Sequence, residues 1–360
     1  MDKTKCCIPE KFANHPLFNE LHCGVNFGFL AKRGYYSRQD VMKQPELMRK
    51  AGVNWCILNA NLCQQAFHTT KVFLDFNYSS SEIELTEITK ILHDNGIRVI
   101  LKPCLTLLDG AWMGTVNFPT SVQIEGVKKD YWSEWFDSFT ESAKYFSEFA
   151  EKNNIEGYIA GAEYFGTEWR DAQWRNVLAE IRNNYSGPVT YEFTFASRDK
   201  YELKWFEELD FLSYSYYPPA RKNEWPKVEF KDAPSYTVDE MVEYLKPRRE
   251  KIKSICERFG NKPIAFTELG TRSAHGCIAV PCDFRTETWY DGEEQANYME
   301  AIFQTFHDIP QWMGLYWWKW DETQHRPHYH TDPRGDKGFT IAGKPAEAVL
   351  KKWFSRIKNQ

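Results

Sequence analysis

Two glutamates each follow a short, almost wholly apolar run of the sequence. Glu163 comes directly after EGYIAGA at 156–162, and Glu268 comes directly after KPIAFT at 262–267. Runs of this kind are typical of strands that are buried on both faces, so each carboxyl group is expected at the end of a strand. A lone glutamate in such a place is often a solvated or ion-paired group, and it is the pair that points to chemistry.

Two carboxyl groups are what a glycosidase needs. One protonates the leaving oxygen and the other attacks the anomeric carbon, and in retaining enzymes the two groups lie about 5–5.5 Å apart. The acid must keep its proton near neutral pH, so an apolar wall or the second carboxylate must raise its pKa. Tyr164, Phe165 and Trp169, which follow Glu163 closely, are consistent with such a wall.

The elements that must position these residues alternate along the chain. Short runs rich in β-forming residues lie at 22–29, 53–58, 97–103, 156–162, 188–193, 210–215, 262–267 and 313–318. Segments of helical period lie between them, at roughly 38–51, 81–95, 131–153, 169–184, 200–208, 237–258, 293–307 and 344–357. Strands that alternate with helices indicate a parallel sheet.

The number of units favours a closed barrel over an open sheet. An open, doubly wound sheet usually carries a G-x-G-x-x-G turn after its first strand, and here that position reads LAKRG at 30–34. We therefore predict one domain over residues 1–360, a (β/α)8 barrel with long βα loops. In such barrels the active site lies at the carboxyl ends of the strands, where side chains at the tops of strands four and seven can point toward each other.

Five further residues near strand ends have more than one possible role. Lys102 either binds sugar hydroxyls or forms an ion pair, and Glu192 is either a third acid that contacts substrate or a polar residue lining the mouth. Trp112 either forms a platform for a sugar or anchors its own loop. Trp317 and Trp318 end strand eight and point to opposite sides, so at most one of them faces the barrel mouth.

Several segments resemble glycoside hydrolase family 113, known for β-1,4-mannanases, and they occur in the family's order. They are GVNW (52–55), LKPCLTLLDGAWMGTV (101–116), FTELGTRSAHG (266–276), GLYWWKWD (314–321) and GKPAEAVLKKW (343–353). The resemblance implies a (β/α)8 barrel that acts on β-mannosides without a metal ion. It also implies Glu163 as acid/base and Glu268 as nucleophile. Tyr217 matches the family's tyrosine that donates a hydrogen bond to the nucleophile, and its other interpretation is a tyrosine stacked in the core.

The sequence departs from the family at four positions that surround these residues. Cys104 follows Lys-Pro where the family has His, and Met113 replaces the Arg of a Trp-Arg-Gly loop. Ser215 stands where an Asp is expected, and Ala162 precedes the acid/base where much of the wider clan has Asn. The functions considered are therefore a retaining β-mannosidase or β-mannanase, a hydrolase or transglycosidase for another β-hexoside, a carbohydrate-binding barrel without activity, and an unrelated barrel enzyme.

Composition limits the partners. The net charge is −5 and no basic cluster stands out, which argues against a nucleic-acid partner. No apolar run of 18 residues and no leader sequence is visible, so we expect a cytoplasmic protein without a membrane span, and mostly buried, reduced thiols for the nine cysteines. We expect an oligosaccharide substrate, no cofactor and no obligate protein partner. His328 and His330 lack a clear third ligand, so no metal site is expected there.

Overall fold

The computed structural model describes residues 6–320 and 335–357 of the chain. Eight parallel strands form its centre, and the first strand pairs with both the second and the eighth, so the sheet closes into a barrel. The predicted (β/α)8 barrel is confirmed, and every strand overlaps its predicted run. The strands are β1 His22–Phe27, β2 Trp55–Gln64, β3 Arg98–Leu107, β4 Gly157–Ala162, β5 Val189–Phe193, β6 Leu212–Ser215, β7 Ile264–Leu269 and β8 Trp312–Trp317.

A ring of helices covers the outside of the barrel, and helical segments follow every strand. Capping boxes at Ser81 and Thr237 begin two of these helices where the sequence places Ser and Thr three residues before Glu. The α-helices are α1 Pro16–Asn19, α2 Gln39–Met42, α3 Gln44–Lys50, α4 Glu82–Asp94, α5 Tyr131–Lys152, α6 Asp171–Asn184, α7 Phe195–Lys200, α8 Val238–Leu245, α9 Pro247–Arg258, α10 Gly292–Phe306 and α11 Pro345–Ile357.

Three predicted helices differ from the structure. The segment 237–258 divides into α8 and α9 at Pro247, because proline has no N–H to continue the helix. The segment 38–51 divides in the same way into α2 and α3, next to Pro45. The predicted helix at 200–208 was wrong, since α7 ends at Lys200 and only the 3-10 turn Lys204–Glu208 follows.

The barrel interior is apolar at its amino-terminal end and polar toward the carboxyl ends of the strands. β3 shows the change, because alternate residues of a strand face the same side. Ile100 belongs to the apolar cluster at the floor, whereas Lys102 and Cys104 lie above it. Short α1 closes the floor from below with Leu17 and Phe18. The polar upper half is the place where the strand-end carboxyl groups meet.

Candidate active site

A buried cation lies between two glutamates in the upper half of the barrel. The Lys102 Nζ donates to Glu268 Oε1 at 2.6 Å and to the Glu192 carboxylate at 3.2 and 3.4 Å. Burial alone would lower the pKa of Lys102, but the charges of Glu192 and Glu268 outweigh it and raise that pKa above its usual value. Burial raises the pKa of Glu192, and Lys102 opposes the rise. The ammonium group thus holds Glu268 in a fixed position.

Lys102 and Glu192 do not reach the surface of the mouth. Both side chains are fully buried and pair with each other, so the contact of Glu192 with substrate remains a prediction. Of the two interpretations of Lys102, the structure contains the ion pair. The positions of both side chains make them supports of Glu268.

An irregularity in β7 turns Glu268 toward the interior. The register of β7 with β6 shifts between Ala265 and Glu268, and such a bulge redirects the side chain that follows it. The Tyr217 hydroxyl donates to Glu268 Oε2 at 3.3 Å, so the two carboxylate oxygens have different partners, Tyr217 on one and Lys102 on the other. The hydrogen bond expected from Tyr217 is therefore present.

Glu163 leaves β4 in a left-handed backbone conformation, with φ of 58°, which is uncommon for a residue with a side chain and is often found at functional sites. The Trp112 Nε1 donates to Glu163 Oε2 at 3.0 Å, and the Ser215 side chain also forms a hydrogen bond with Glu163. Burial and the charge of Glu268 raise the pKa of Glu163, and these two hydrogen bonds oppose the rise.

Ser215 connects the two glutamates. Its backbone is the register partner of Glu268 across β6 and β7, while its side chain bonds to Glu163. The sequence singled out Ser215 only as a departure from a family pattern. Its place at the end of β6, between the strands that carry the two glutamates, is the signal that would have identified it.

The two strand-eight tryptophans occupy different environments. Trp318 is half-buried at the mouth, where its ring packs against Phe29 at 4.6 Å between centroids and the Lys102 Nζ lies 5.4 Å from the ring centroid. Trp317 is fully buried, donates to Phe339 O at 2.7 Å and packs against Tyr298 of α10. The predicted substrate contact of Trp317 is therefore wrong, because its side chain points outward from the barrel.

Trp112 lies beside the mouth, where it contacts Glu163. Its side chain is 44% exposed and stacks against Phe165 with 6.4 Å between ring centroids. The exposed face is available to a bound molecule. The residue that replaces the family's His, Cys104, is buried below, where its Sγ donates to Asn59 Oδ1 at 3.2 Å.

Comparison with known proteins identifies the family. The family model of Glycoside Hydrolase Family 113 matches residues 25–344. The chain belongs to this family. As a family 113 protein it is a glycoside hydrolase, and the resemblance seen in its sequence is confirmed.

Solved structures of family 113 proteins have the same architecture. A GH113 β-1,4-mannanase in a complex has a TM-score of 0.77 and 26% identity, with 93% of this chain and 99% of that chain covered. GH113 β-mannanase AaManA from Alicyclobacillus acidocaldarius, in complex with ManMIm, has a TM-score of 0.77 and 24% identity, with 94% and 98% covered. A search of curated proteins found no match.

A more distant structure shares the fold alone. The family 5 mannosidase from Rhizomucor miehei, as its E301A mutant, has a TM-score of 0.64 at 11% identity, with 100% of this chain and 97% of that chain covered.

None of the described helices is both long and apolar enough to cross a bilayer. The cysteines are free thiols, of which Cys7 and Cys282 are exposed. The His328 and His330 segment lies outside the described residues.

Proposed function

We propose that this family 113 enzyme hydrolyses β-1,4-linked mannosides with net retention at the anomeric carbon. Glu268 is the nucleophile and Glu163 is the acid/base. The observation that carries the proposal is the shared mouth of these two carboxyl groups, in which burial and the charge of Glu268 together raise the pKa of Glu163. A carboxyl group with a raised pKa holds the proton that the leaving oxygen needs.

In the first step of the proposed reaction, a Glu268 oxygen attacks the anomeric carbon. Lys102 and Tyr217 fix the carboxylate through one oxygen each, which limits its rotation before attack. The glycosidic bond breaks as the Glu163 proton passes to the leaving oxygen, so the departing sugar leaves as a neutral alcohol. A covalent glycosyl ester on Glu268 results.

In the second step Glu163, now ionised, accepts a proton from water as the water attacks the anomeric carbon, and the bond between that carbon and Glu268 breaks to release the carboxylate. Two inversions give net retention, and both carboxyl groups return to their starting states. Hydrogen bonds from Trp112 and Ser215 stabilise the ionised form of Glu163 that this step needs. The same bonds oppose protonation of Glu163, which must be protonated in the first step and ionised in the second.

The assignment of the substrate rests on the relatives. Two solved relatives are named as β-1,4-mannanase or β-mannanase, and this chain keeps both glutamates. Trp112 and Trp318 supply ring faces at the mouth against which a sugar can stack. The substrate of the wild-type enzyme is therefore proposed to be a short β-1,4-linked manno-oligosaccharide.

A substrate panel tests the proposal. Wild-type protein is incubated with β-manno-, β-gluco-, β-xylo- and β-galacto-oligosaccharides, and the first product anomer is read by NMR. We expect cleavage of the manno-series with initial release of the β-anomer. Glu163→Gln should lower the rate by about 10²–10⁴-fold, and Glu268→Gln should abolish turnover. Initial release of the α-anomer would refute retention, longer products at high substrate would show transglycosylation, and an inactive wild type would indicate a binding protein.

Azide separates the roles of the two glutamates. In Glu163→Ala, the first step still proceeds with an aryl mannoside whose phenolate leaves without protonation, and the glycosyl ester accumulates. Azide needs no general base, so it should restore turnover and yield the β-mannosyl azide. With Glu268→Ala the same anion should enter from the opposite face and give the α-azide. An exchange of these two products between the variants would reverse the assignment.

A further inference from the structure

Three potential metal ligands meet outside the proposed active site. His275 lies in the loop after β7, while Asp291 and Glu294 lie at the beginning of α10. The His275 Nδ1 is 2.9 Å from Asp291 Oδ2 and 3.8 Å from Glu294 Oε2. One ligand atom from each residue lies within 4.8 Å of the other two. A cation with bonds of about 2.0–2.2 Å fits between atoms with these separations.

Glu294 has an unusual environment for a carboxyl group. The residue is only 4% exposed, and neither carboxylate oxygen has a hydrogen bond of regular geometry among the described residues, where the Gly276 backbone N–H and the His275 ring are its polar neighbours. A buried, unpaired polar group is costly, and a buried charge normally pairs or coordinates a metal. Its Oε2 is directed toward His275. The nearby Arg221 guanidinium donates instead to the carbonyls of Lys222 and Pro234.

The groups around this site orient two of the ligands. The His275 Nε2 lies 2.8 Å from Ala233 O, and a proton on Nε2 leaves the Nδ1 lone pair directed toward the carboxylates. Metal-bound histidines usually donate their other ring N–H to such a carbonyl. Asp291 Oδ1 accepts from the Glu294 N–H at 2.9 Å, so its second oxygen remains directed at the site. Trp289 stacks on the imidazole and fixes its plane.

We propose that His275 Nδ1, Asp291 Oδ2 and Glu294 Oε2 bind one divalent transition-metal ion, for which Zn²⁺ is the probe. The ion replaces the proton that otherwise lies between His275 and Asp291, so binding releases protons and strengthens as pH rises. Nitrogen and carboxylate donors in this number suit Zn²⁺, with water completing the shell. The ion would join the loop that follows the nucleophile strand to the first turn of α10.

Calorimetry on untagged, chelator-treated full-length protein tests the site. Wild type and Glu293→Gln should bind Zn²⁺ with the same affinity, because Glu293 is the exposed neighbour on the same helical turn. Glu294→Gln keeps the shape of the side chain and should bind at least tenfold more weakly, since even supporting residues contribute 10–100-fold. The binding heat should vary with the ionisation enthalpy of the buffer, because protons are released.

Other donors in the chain are common to all variants, including His325, His328 and His330. Equal Zn²⁺ affinity in Glu294→Gln and Glu293→Gln would therefore place the ion elsewhere and overturn the proposal. A wild-type dissociation constant weaker than about 1 mM would also overturn it. If circular dichroism shows that Glu294→Gln does not fold, Asp291→Asn is tested against the same control, with the same two results deciding. The absorption spectrum of bound Co²⁺, compared between the wild type and His275→Ala, then reports whether His275 supplies a nitrogen ligand.

Discussion

Replacement of Trp112 by Phe should move the alkaline limb of the pH–rate profile upward. The indole N–H stabilises the ionised form of Glu163 at 3.0 Å, so it lowers the pKa of that carboxyl group. Loss of the donor raises the pKa, and the acid then keeps its proton to a higher pH. Activity in the variant should therefore decline later as pH increases.

The size of the shift follows from the contact. A hydrogen bond to a charged group contributes about 1.5–3 kcal/mol. Trp112 is 44% exposed, so water replaces part of the lost interaction, and we take roughly half, about 0.7–1.5 kcal/mol, as the net loss. Since one pKa unit corresponds to about 1.4 kcal/mol, the limb should move upward by about 0.5–1 pH unit.

The assay is kcat/KM against pH, because this ratio reports the ionisation of the free enzyme. The height of the profile should also fall if Trp112 contacts the sugar, but height and limb position are separate observations. Trp169→Phe is the control: Trp169 is 41% exposed and donates to Gly166 O at 3.0 Å rather than to Glu163. An unchanged limb, a downward shift, or an equal shift in the control would refute the reasoning.

Three other predictions test neighbouring contacts. Lys102→Met should lower the free energy of unfolding in urea by about 3–5 kcal/mol, because it leaves buried carboxylates without a compensating charge. Addition of Glu192→Gln to this variant should restore part of the lost stability. A Lys102→Met protein as stable as the wild type would contradict the prediction. Ser215→Ala should raise the alkaline limb of kcat/KM as Trp112→Phe does, since it also removes a donor to Glu163, and a downward shift would count against it. Trp317→Phe should lower the free energy of unfolding by about 1–3 kcal/mol, because the hydrogen bond of the indole N–H is lost. It should leave KM unchanged, and a large rise in KM would show that Trp317 contacts substrate.

The barrel was predictable because its strands are buried on both faces. A run such as Gly157–Ala162 has no charged residue and is buried throughout, and this apolar pattern can be recognised from the run alone, without knowledge of the strands beside it. The two glutamates were predictable for the same reason, since each follows such a run directly. The divided helices were missed because Pro45 and Pro247 interrupt an otherwise continuous period.

Contacts between residues far apart in the chain could not be predicted from the sequence. Lys102 meets Glu192 across 90 positions and Glu268 across 166, and no local pattern distinguishes that network from a sugar contact. Alternation showed that at most one strand-eight tryptophan faces the mouth, but not which one. Only the packing of Trp317 against Tyr298 decides it.

The closed floor of the barrel has a consequence for the order of synthesis and folding. Leu17 and Phe18 precede every strand, yet their cluster includes Met313 and Tyr316 of the last strand. At translation speeds of about 5–20 residues per second, roughly 15–60 s separate the synthesis of these two parts. During that interval the early apolar side chains lack their final partners, so nascent chains should depend on chaperones most strongly before β8 is made.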